Sequence, residues 1–366
     1  MDFAFSDEQD MLREQARAFL ADRFPLEKVA EITRSDEGWD KQSFRQIAEL
    51  GWTSLSVPED AGGSGMGFID EAVLFEELGR GLFPGPYFST IGLALPLLLD
   101  SSDQLPGIVS GERTATLAWA EPSGPSKLAD IGRGITAKAE RSNGSWTVSG
   151  EKSLVPDAEI VDHILVVAAA SEGIGVWAIE RGDANPKTHS TMDATRRFGS
   201  IAPSGADAVL IVEPGKGEDA IAAVRRRALA ALALEAVGIA QRAVELSIEH
   251  VSERKQFDKP IGTYQAVSHQ VADMYVDLEL ARSLAYWAAW CVDTGDDQAD
   301  VAVAAAKAAA ADAAVLACER AIQVHGGIGF TWEHPLHLFY KRAQWINTFE
   351  GAGSTHRSAI ATSLFS

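Results

Sequence analysis

Residues 323–330 have the sequence QVHGGIGF and follow the most alanine-rich part of the chain. From Val301 to Ala314, ten of fourteen residues are alanine. Alanine is the best helix former, and its small side chain lets helices pack closely. The glycines that follow let backbone amides approach an anion. This stretch therefore predicts a closely packed helix that ends in a candidate anion-binding turn.

A second candidate anion-binding segment, ERKQF at residues 253–257, ends an earlier helical stretch. Arg254 offers a planar guanidinium fork that matches the geometry of phosphate oxygens. Each segment alone is also compatible with an ordinary helix C-terminus carrying a solvated arginine. Two such segments in one helical region favour a phosphate-containing ligand.

The hydrophobic period divides the chain into three parts. Apolar residues recur at helical spacing near both ends, whereas the period falls to two in the middle, as in SWTVS at residues 145–149. We therefore predict an α+β fold of three domains. They are an N-terminal helical domain at 1–111, a middle antiparallel β domain at 112–217 and a C-terminal four-helix bundle at 218–366.

The composition excludes several classes of protein. The 366 residues are 46% hydrophobic and 23% charged, as in globular proteins and unlike disordered or fibrous ones. The net charge of −20 argues against nucleic acid and anionic membranes as partners. Cys291 and Cys318 lie in apolar helical stretches, so we expect reduced core residues and not a disulfide framework.

Targeting and metal-binding signals are also missing from the sequence. Residues 1–8 contain no basic segment, which predicts no signal peptide, and no uncharged apolar run reaches the ~18 residues of a spanning helix. We therefore expect a cytoplasmic protein. His334 and His337 are separated by Pro335, which argues against a helical pair of zinc ligands, so no metal site is predicted.

Several motifs resemble the acyl-CoA dehydrogenase family, in the family's order and over nearly the whole chain. The N-terminal ones are GW at 51–52, VPEDAGG at 57–63 and FEELG at 75–79. The C-terminal ones are ERKQF, QVHGGIGF and EHPL at 333–336. The resemblance implies an FAD enzyme that oxidises the Cα–Cβ bond of an acyl-CoA thioester. A carboxylate takes the α-proton, flavin takes the β-hydride, and an electron-transferring flavoprotein normally accepts the electrons.

The resemblance also implies a shared cofactor site. In this family each FAD lies across a subunit interface, and the neighbouring subunit holds its adenosine and pyrophosphate end, here called the FAD tail. The residues that match this role are Arg254, Phe257, Gln323, Gly326 and Gly327. An oligomer, normally a tetramer, follows from the same arrangement.

The flavin-ring end departs from the family pattern. Where the family usually has TEPGxGSD, this chain has AEPSGPSK at 120–127, and where it usually has KxWI(T/S), this chain has KSLVP at 152–156. Ala120 lacks the hydroxyl that bonds the flavin, and Pro125 lacks a backbone N–H. Leu154 replaces the aromatic wall and Pro156 replaces a hydroxyl residue. Unless another wall compensates, the ring pocket is incomplete.

Glu350 is the only inherited candidate for the catalytic base. Its segment, FEG at 349–351, matches the family's Tyr-Glu-Gly. The family's alternative base position aligns with Ala228, and the arginine that usually follows it aligns with Leu229. The alternative role for Glu350 is that of a retained structural carboxylate.

Three hypotheses follow from this mixture. The favoured one is a subunit of a heteromeric acyl-CoA dehydrogenase, as in actinobacterial enzymes that act on steroid side-chain CoA thioesters. This chain would hold the FAD tail, and a sister subunit would supply ring pocket and base. The others are a self-sufficient homotetramer with Glu350 as base and a flavin-free scaffold. Random loss of function would erode both ends of the FAD site, which disfavours the scaffold.

Overall fold

The computed structural model describes residues 5–101 and 103–365, which form two compact units. The first, here called the helical unit, comprises the described residues 5–33, 67–83 and 229–365. The second, the β unit, comprises residues 34–66, 84–101 and 103–228. Residues 1–4, half of the segment that predicts no signal peptide, lie outside the described residues.

Helices occupy both ends of the chain, as the helical periodicity predicts. In chain order the α-helices of the described residues are α1 (Asp7–Arg23), α2 (Leu26–Arg34), α3 (Lys41–Glu49), α4 (Phe68–Arg80), α5 (Leu95–Leu98), α6 (Leu105–Val109), α7 (Gly217–Glu253), α8 (Gln265–Thr294), α9 (Ala299–His325), α10 (Leu336–Thr348) and α11 (Gly353–Phe365). A π-helical segment, Phe88–Ala94, precedes α5.

Two glycines allow α4 and α7 to cross at very short range in the helical unit. A Cβ on Gly79 would lie 2.2 Å from the carbonyl oxygen of Glu235, and one on Gly238 would lie 1.9 Å from that of Glu76. No side chain fits at such distances, so glycine is required at both positions. Close helix packing therefore explains the glycine that ends the FEELG motif at 75–79, independently of the family resemblance.

A buried polar network joins α1, α4 and α8 in the helical unit. Arg17 donates two hydrogen bonds to the carboxylate of Glu77, from Nε to Oε2 at 3.1 Å and from Nη2 to Oε1 at 2.6 Å. Tyr286 donates to Glu76 at 2.7 Å, and Arg282 lies 3.3 Å from the same carboxylate. Because both glutamates are buried, these partners are what makes their charge tolerable in the core.

Helix α9 forms the centre of the bundle. Its alanines pack against α8, α10 and α11, and Cys318 is buried among them, as is Cys291 on α8. With its 3₁₀ extension, the segment Ala299–Phe330 is long and apolar enough, by length and composition, to cross a membrane, although charged residues such as Lys307 and Asp312 interrupt it. However, 67% of its most apolar window is buried inside the protein, as in a core helix.

The middle of the chain forms strands, as the period of two predicts. They are β1 (Ala115–Ala118), β2 (Lys138–Ser142), β3 (Ser145–Ser149), β4 (Lys152–Pro156), β5 (His163–Ala170), β6 (Gly173–Glu180), β7 (Lys187–His189), β8 (Phe198–Ile201) and β9 (Ala206–Val212). Six of them form one sheet in the order β1-β5-β2-β3-β9-β6, and β5 also pairs with β6. This extra pairing closes the sheet into a barrel around a core that includes Val148, Ile164, Val166 and Trp177.

The middle β domain is largely antiparallel, as predicted, with two parallel pairings as exceptions. Most neighbours in the barrel are antiparallel, but β5 runs parallel to β1 and to β2. The tight β2–β3 hairpin explains why local sequence favours antiparallel pairing, since Asn143 and Gly144 both have the positive φ of its two-residue turn. Parallel partners lie far apart in sequence and leave no such local signal.

Candidate active site

The first FAD-tail segment lies where α7 ends. After Glu253 the chain forms a hairpin of β10 (Lys255–Gln256) and β11 (Lys259–Pro260). Phe257 and Asp258 form its turn, both with positive φ. Arg254 is exposed, and Phe257 is 87% exposed with its ring edge-on to Tyr264 at 6.4 Å. An aromatic residue held this far into solvent is available to a ligand or a partner chain.

The second FAD-tail segment lies where α9 ends. Gly326 caps the helix with φ 63° and ψ −138°, and its N–H donates to the carbonyl of Gln323. This backbone conformation is accessible essentially to glycine alone. Gln323, Gly326 and Gly327 are all exposed, and a Cβ on either glycine would meet no atom within 4 Å. The turn therefore presents open backbone, as a bound phosphate needs.

A histidine cluster joins the two segments. His250 on α7 stacks on His325 on α9, with ring centroids 4.3 Å apart, and His334 lies 4.5 Å from His325. The Nδ1 atom of His325 is 2.7 Å from the carbonyl oxygen of Ala321, which fixes that ring. The structure thus brings the ends of α7 and α9 together at one end of the helical unit.

These histidines are held in their neutral form. Burial lowers the pKa of His334 to about 4, and the neighbouring His325, His250 and His337 reinforce the shift. Burial also lowers the pKa of His325, aided by His250, and that of His250, aided by Arg254. Protonation of the cluster would place like charges in contact, so its packing depends on neutrality.

The residues present at this end fit an FAD tail. Open glycine backbone in the α9 turn can accept the close approach of a diphosphate, and the exposed fork of Arg254 can pair with its oxygens. Phe257 offers an apolar face nearby on the same hairpin. Together these groups suit a ligand that carries negative charge and has an aromatic part.

The two segments that match the family's flavin-ring motifs, residues 120–127 and 152–156, meet in the β unit. The backbone N–H of Ser153 on β4 donates to the carbonyl of Ala120 at 2.8 Å. The carbonyl of Pro125 accepts from the N–H of Glu121 at 3.0 Å, which closes the 121–125 turn. The side chains of Ala120 and Pro125 are buried, and neither carries a polar group for a flavin ring.

A buried ion pair holds these two segments together. Lys152 and Glu121 are 2.7 Å apart and both side chains are almost completely buried. Glu121 also accepts from the Thr136 hydroxyl and amide and from the Ala137 amide, at 2.6, 2.7 and 3.0 Å. Burial raises the pKa of Glu121, but the hydrogen bonds from Lys152 and the others outweigh it and leave that pKa low. Burial lowers the pKa of Lys152 to about 8, so the pair is charged at neutral pH.

Beyond this pair, β4 changes direction. Its pairing with β8 is irregular between Lys152 and Val155, and Leu154 has φ 52° and is 54% exposed. Pro156 is buried opposite Phe198. The position of the family's aromatic wall thus holds an exposed aliphatic side chain in a conformation that is uncommon for leucine.

Glu350 lies in the helical unit, in the connection between α10 and α11. It is only 6% exposed and has φ 58°. The N–H of Phe349 donates to Trp345 and caps α10, and Nε2 of His356 lies 3.1 Å from the carbonyl oxygen of Gly351. Ala228, the alternative base position, is buried on α7 and offers no carboxylate.

Two features of the site were missed from the sequence. The histidine cluster depends on the contact of His250 with His325, which lie 75 positions apart, so no local pattern shows it. The Glu121–Lys152 pair had a signal, because the family motifs at 120–127 and 152–156 carry a glutamate and a lysine at these positions.

Profiles of two domains match most of the chain. The acyl-CoA dehydrogenase N-terminal domain matches residues 6–105, and the acyl-CoA dehydrogenase C-terminal domain matches residues 222–365. Acyl-CoA dehydrogenase IpdE2 of Mycobacterium tuberculosis is 32% identical over 338 residues, which cover 92% of this chain and 91% of that protein.

Solved structures share the fold over almost the full length. The Tcur3481-Tcur3483 steroid ACAD matches with a TM-score of 0.85 and 28% identity, covering 98% of both chains. The ChsE4-ChsE5 complex from Mycobacterium tuberculosis matches with a TM-score of 0.87 and 25% identity, covering 100% of this chain and 99% of that one. Both names join two proteins.

Proposed function

Because the chain belongs to the acyl-CoA dehydrogenase family, we propose that it is the FAD-tail subunit of a heteromeric, FAD-dependent acyl-CoA dehydrogenase. One observation carries the proposal. The end of the helical unit presents Arg254, Phe257 and the glycine turn to solvent, whereas Ala120 and Pro125 in the β unit have no polar side-chain group for a ring. FAD, when bound, supplies the hydride acceptor.

The comparisons support the sister subunit and the substrate class. Two structural relatives at 25% identity or more carry paired names, and one of those names specifies a steroid ACAD. We therefore take the substrate to be a steroid-derived CoA thioester and the partner to be a second chain of this family. A cytoplasmic location and an electron-transferring flavoprotein as acceptor complete the proposal.

The visible spectrum of the purified protein tests the proposal. Purified alone, this chain should be almost colourless, since the ring pocket that would complete an FAD site comes from the sister chain. Co-expressed with that chain, it should copurify as a yellow complex with dehydrogenase activity. A chain that is fully loaded with flavin and active on its own would contradict the heteromeric assignment.

Arg254 should contribute strongly to cofactor affinity in that complex. A charge-assisted arginine–phosphate pair is worth about 1.5–3 kcal/mol, so Arg254→Ala should weaken FAD binding at least about tenfold. The measurement is flavin retained after dialysis, titrated back with FAD. Arg254→Lys keeps the positive charge but loses the guanidinium fork. Its FAD affinity should therefore lie between that of the parent protein and that of Arg254→Ala.

Lys255→Ala is the matched control for this prediction. It removes one positive charge from the same exposed hairpin without removing the guanidinium fork. We expect a much smaller loss of FAD affinity than in Arg254→Ala. Equal losses in the two variants would mean that general electrostatics, and not a specific pair, determines the binding.

A self-sufficient enzyme is the second candidate, and Glu350 favours it. The carboxylate is buried and its backbone is in the left-handed region, a strained arrangement that often occurs at functional sites. Under the heteromeric proposal, Glu350→Gln leaves most of the turnover of the assembled enzyme. If Glu350→Gln abolishes turnover while flavin content stays constant, Glu350 is the base and the second candidate is correct.

A further inference from the structure

A cavity of about 320 Å³ lies in the helical unit, where α1 ends and α2 begins. Leu20, Phe24 and Leu26 form an apolar wall, and Arg80 and Arg242 line the same cavity. Small-molecule sites in proteins have volumes of about 300–1,000 Å³ and combine an apolar lining with a few polar groups. No lining residue belongs to the FAD-tail segments or to the flavin-ring motifs, so the proposed function does not use this cavity.

The polar side of the cavity consists of two arginines that share one carboxylate. Arg80 donates from Nε and Nη2 to Glu245 at 3.0 and 2.8 Å, and Arg242 donates from Nη1 to the same carboxylate at 3.1 Å. The amide of Gln241 adds a fourth bond to it at 2.9 Å. Burial raises the pKa of Glu245, but the bonds from Arg80, Gln241 and Arg242 outweigh it and leave that pKa low. Two guanidinium groups and one ionised carboxylate leave one positive charge uncompensated.

Arg242 is the group that can offer this charge to a ligand. Within the part of the chain that the structure describes, its Nε and Nη2 atoms have no hydrogen-bond partner, and its side chain is only 27% exposed. Glu27 also lines the cavity, but it is exposed, where water screens its charge. Ala21 and Pro25 in the lining are exposed as well, so a ligand can enter from solvent.

We propose that this cavity binds a small monocarboxylate with a compact apolar body. The carboxylate would pair with the free edge of the Arg242 guanidinium, whose planar fork matches its two oxygens. The apolar body would pack on Leu20 and Phe24, which are both buried. A single negative charge compensates the single excess positive charge, whereas a phosphate dianion would exceed it. At the ~30 Å³ that a water molecule occupies, the cavity holds about ten non-hydrogen atoms, which is the size of octanoate.

Titration calorimetry with octanoate tests the proposal, on the full chain alone and on its complex with the sister chain. We expect binding at millimolar octanoate or below in both. Octanamide has the same length but no charge, so its affinity should be at least about tenfold lower. Arg242→Gln should weaken octanoate binding to a similar extent, while Glu245 keeps its bonds from Arg80 and Gln241.

Two further variants separate the contribution of charge from that of shape. Lys28→Gln removes an exposed positive charge from α2 outside the cavity lining, so it should keep the parent affinity. Ala21→Leu adds bulk at an exposed position in the lining, so it should weaken octanoate and octanamide alike. If Arg242→Gln fails to fold, Ala21→Leu and the comparison of the two ligands still test the site.

Several outcomes would overturn this assignment. They are no octanoate binding to the parent chain, equal affinities for octanoate and octanamide, and equal losses in Lys28→Gln and Arg242→Gln. Octanoate binding to the chain alone that disappears in the complex would do the same, because the sister chain and not a small molecule would then occupy the cavity. None of these outcomes depends on FAD, so they leave the proposed function untouched.

Discussion

Replacing Glu121 with glutamine is expected to lower the free energy of unfolding of the β unit by about 3–5 kcal/mol. The change removes the negative charge that compensates the buried ammonium of Lys152, whose other hydrogen bond goes to the neutral carbonyl oxygen of Trp119 at 3.3 Å. It also turns an acceptor of four donors into an amide with a single acceptor oxygen. Thermal and denaturant unfolding of the assembled protein measure the loss.

Removing the lysine of this pair should lower the free energy of unfolding by less than removing the glutamate. In Lys152→Met, Glu121 keeps its three hydrogen bonds from Thr136 and Ala137, so we expect a loss of about 1–3 kcal/mol. Glu140→Gln, at an exposed position on β2, should change stability by less than about 0.5 kcal/mol. A larger loss in Lys152→Met than in Glu121→Gln would show that the lysine and not the carboxylate organises the turn.

The order of helices and strands could be predicted because each type of element has its own hydrophobic period in the local sequence. Helices are found near both ends of the chain and strands in its middle, where the hydrophobic periods predict them. The β2–β3 hairpin has its own turn residues, Asn143 and Gly144. The parallel pairings of β5 with β1 and β2 could not be predicted, because these strands lie far apart in sequence and share no local turn signal.

The residues of the candidate FAD-tail site could be predicted from the sequence, but the histidine contacts that join its two segments could not. Motif resemblance selected Arg254, Gln323 and the glycines, and the structure places both segments at one end of the helical unit. What holds them there is contact between imidazoles from different helices, which depends on tertiary packing. The roles of these residues in binding FAD stay a prediction until a cofactor is titrated.

The same histidine cluster should make the FAD-tail end sensitive to acid. An unfolded histidine titrates near pH 6.5, whereas burial and its neighbours lower the pKa of His334 to about 4. Between these values the unfolded chain binds more protons than the folded one, so stability falls as pH decreases. The contribution is complete above pH 6.5 and is lost progressively towards pH 4, with His325 and His250 shifted in the same direction.

We therefore expect the helical unit to lose about 1–2 kcal/mol between pH 6.5 and 4 through this cluster, a value reduced from the full pKa shift because solvent screens part of it. His334→Gln should flatten the dependence of unfolding free energy on pH in that window. His189→Gln, at an exposed position on β7, should leave it unchanged. In the assembled enzyme, flavin release below pH 6 should be slower in His334→Gln than in the parent, because protonation no longer separates the ends of α7 and α9. Equal acid sensitivity in all three proteins would exclude the cluster as the cause.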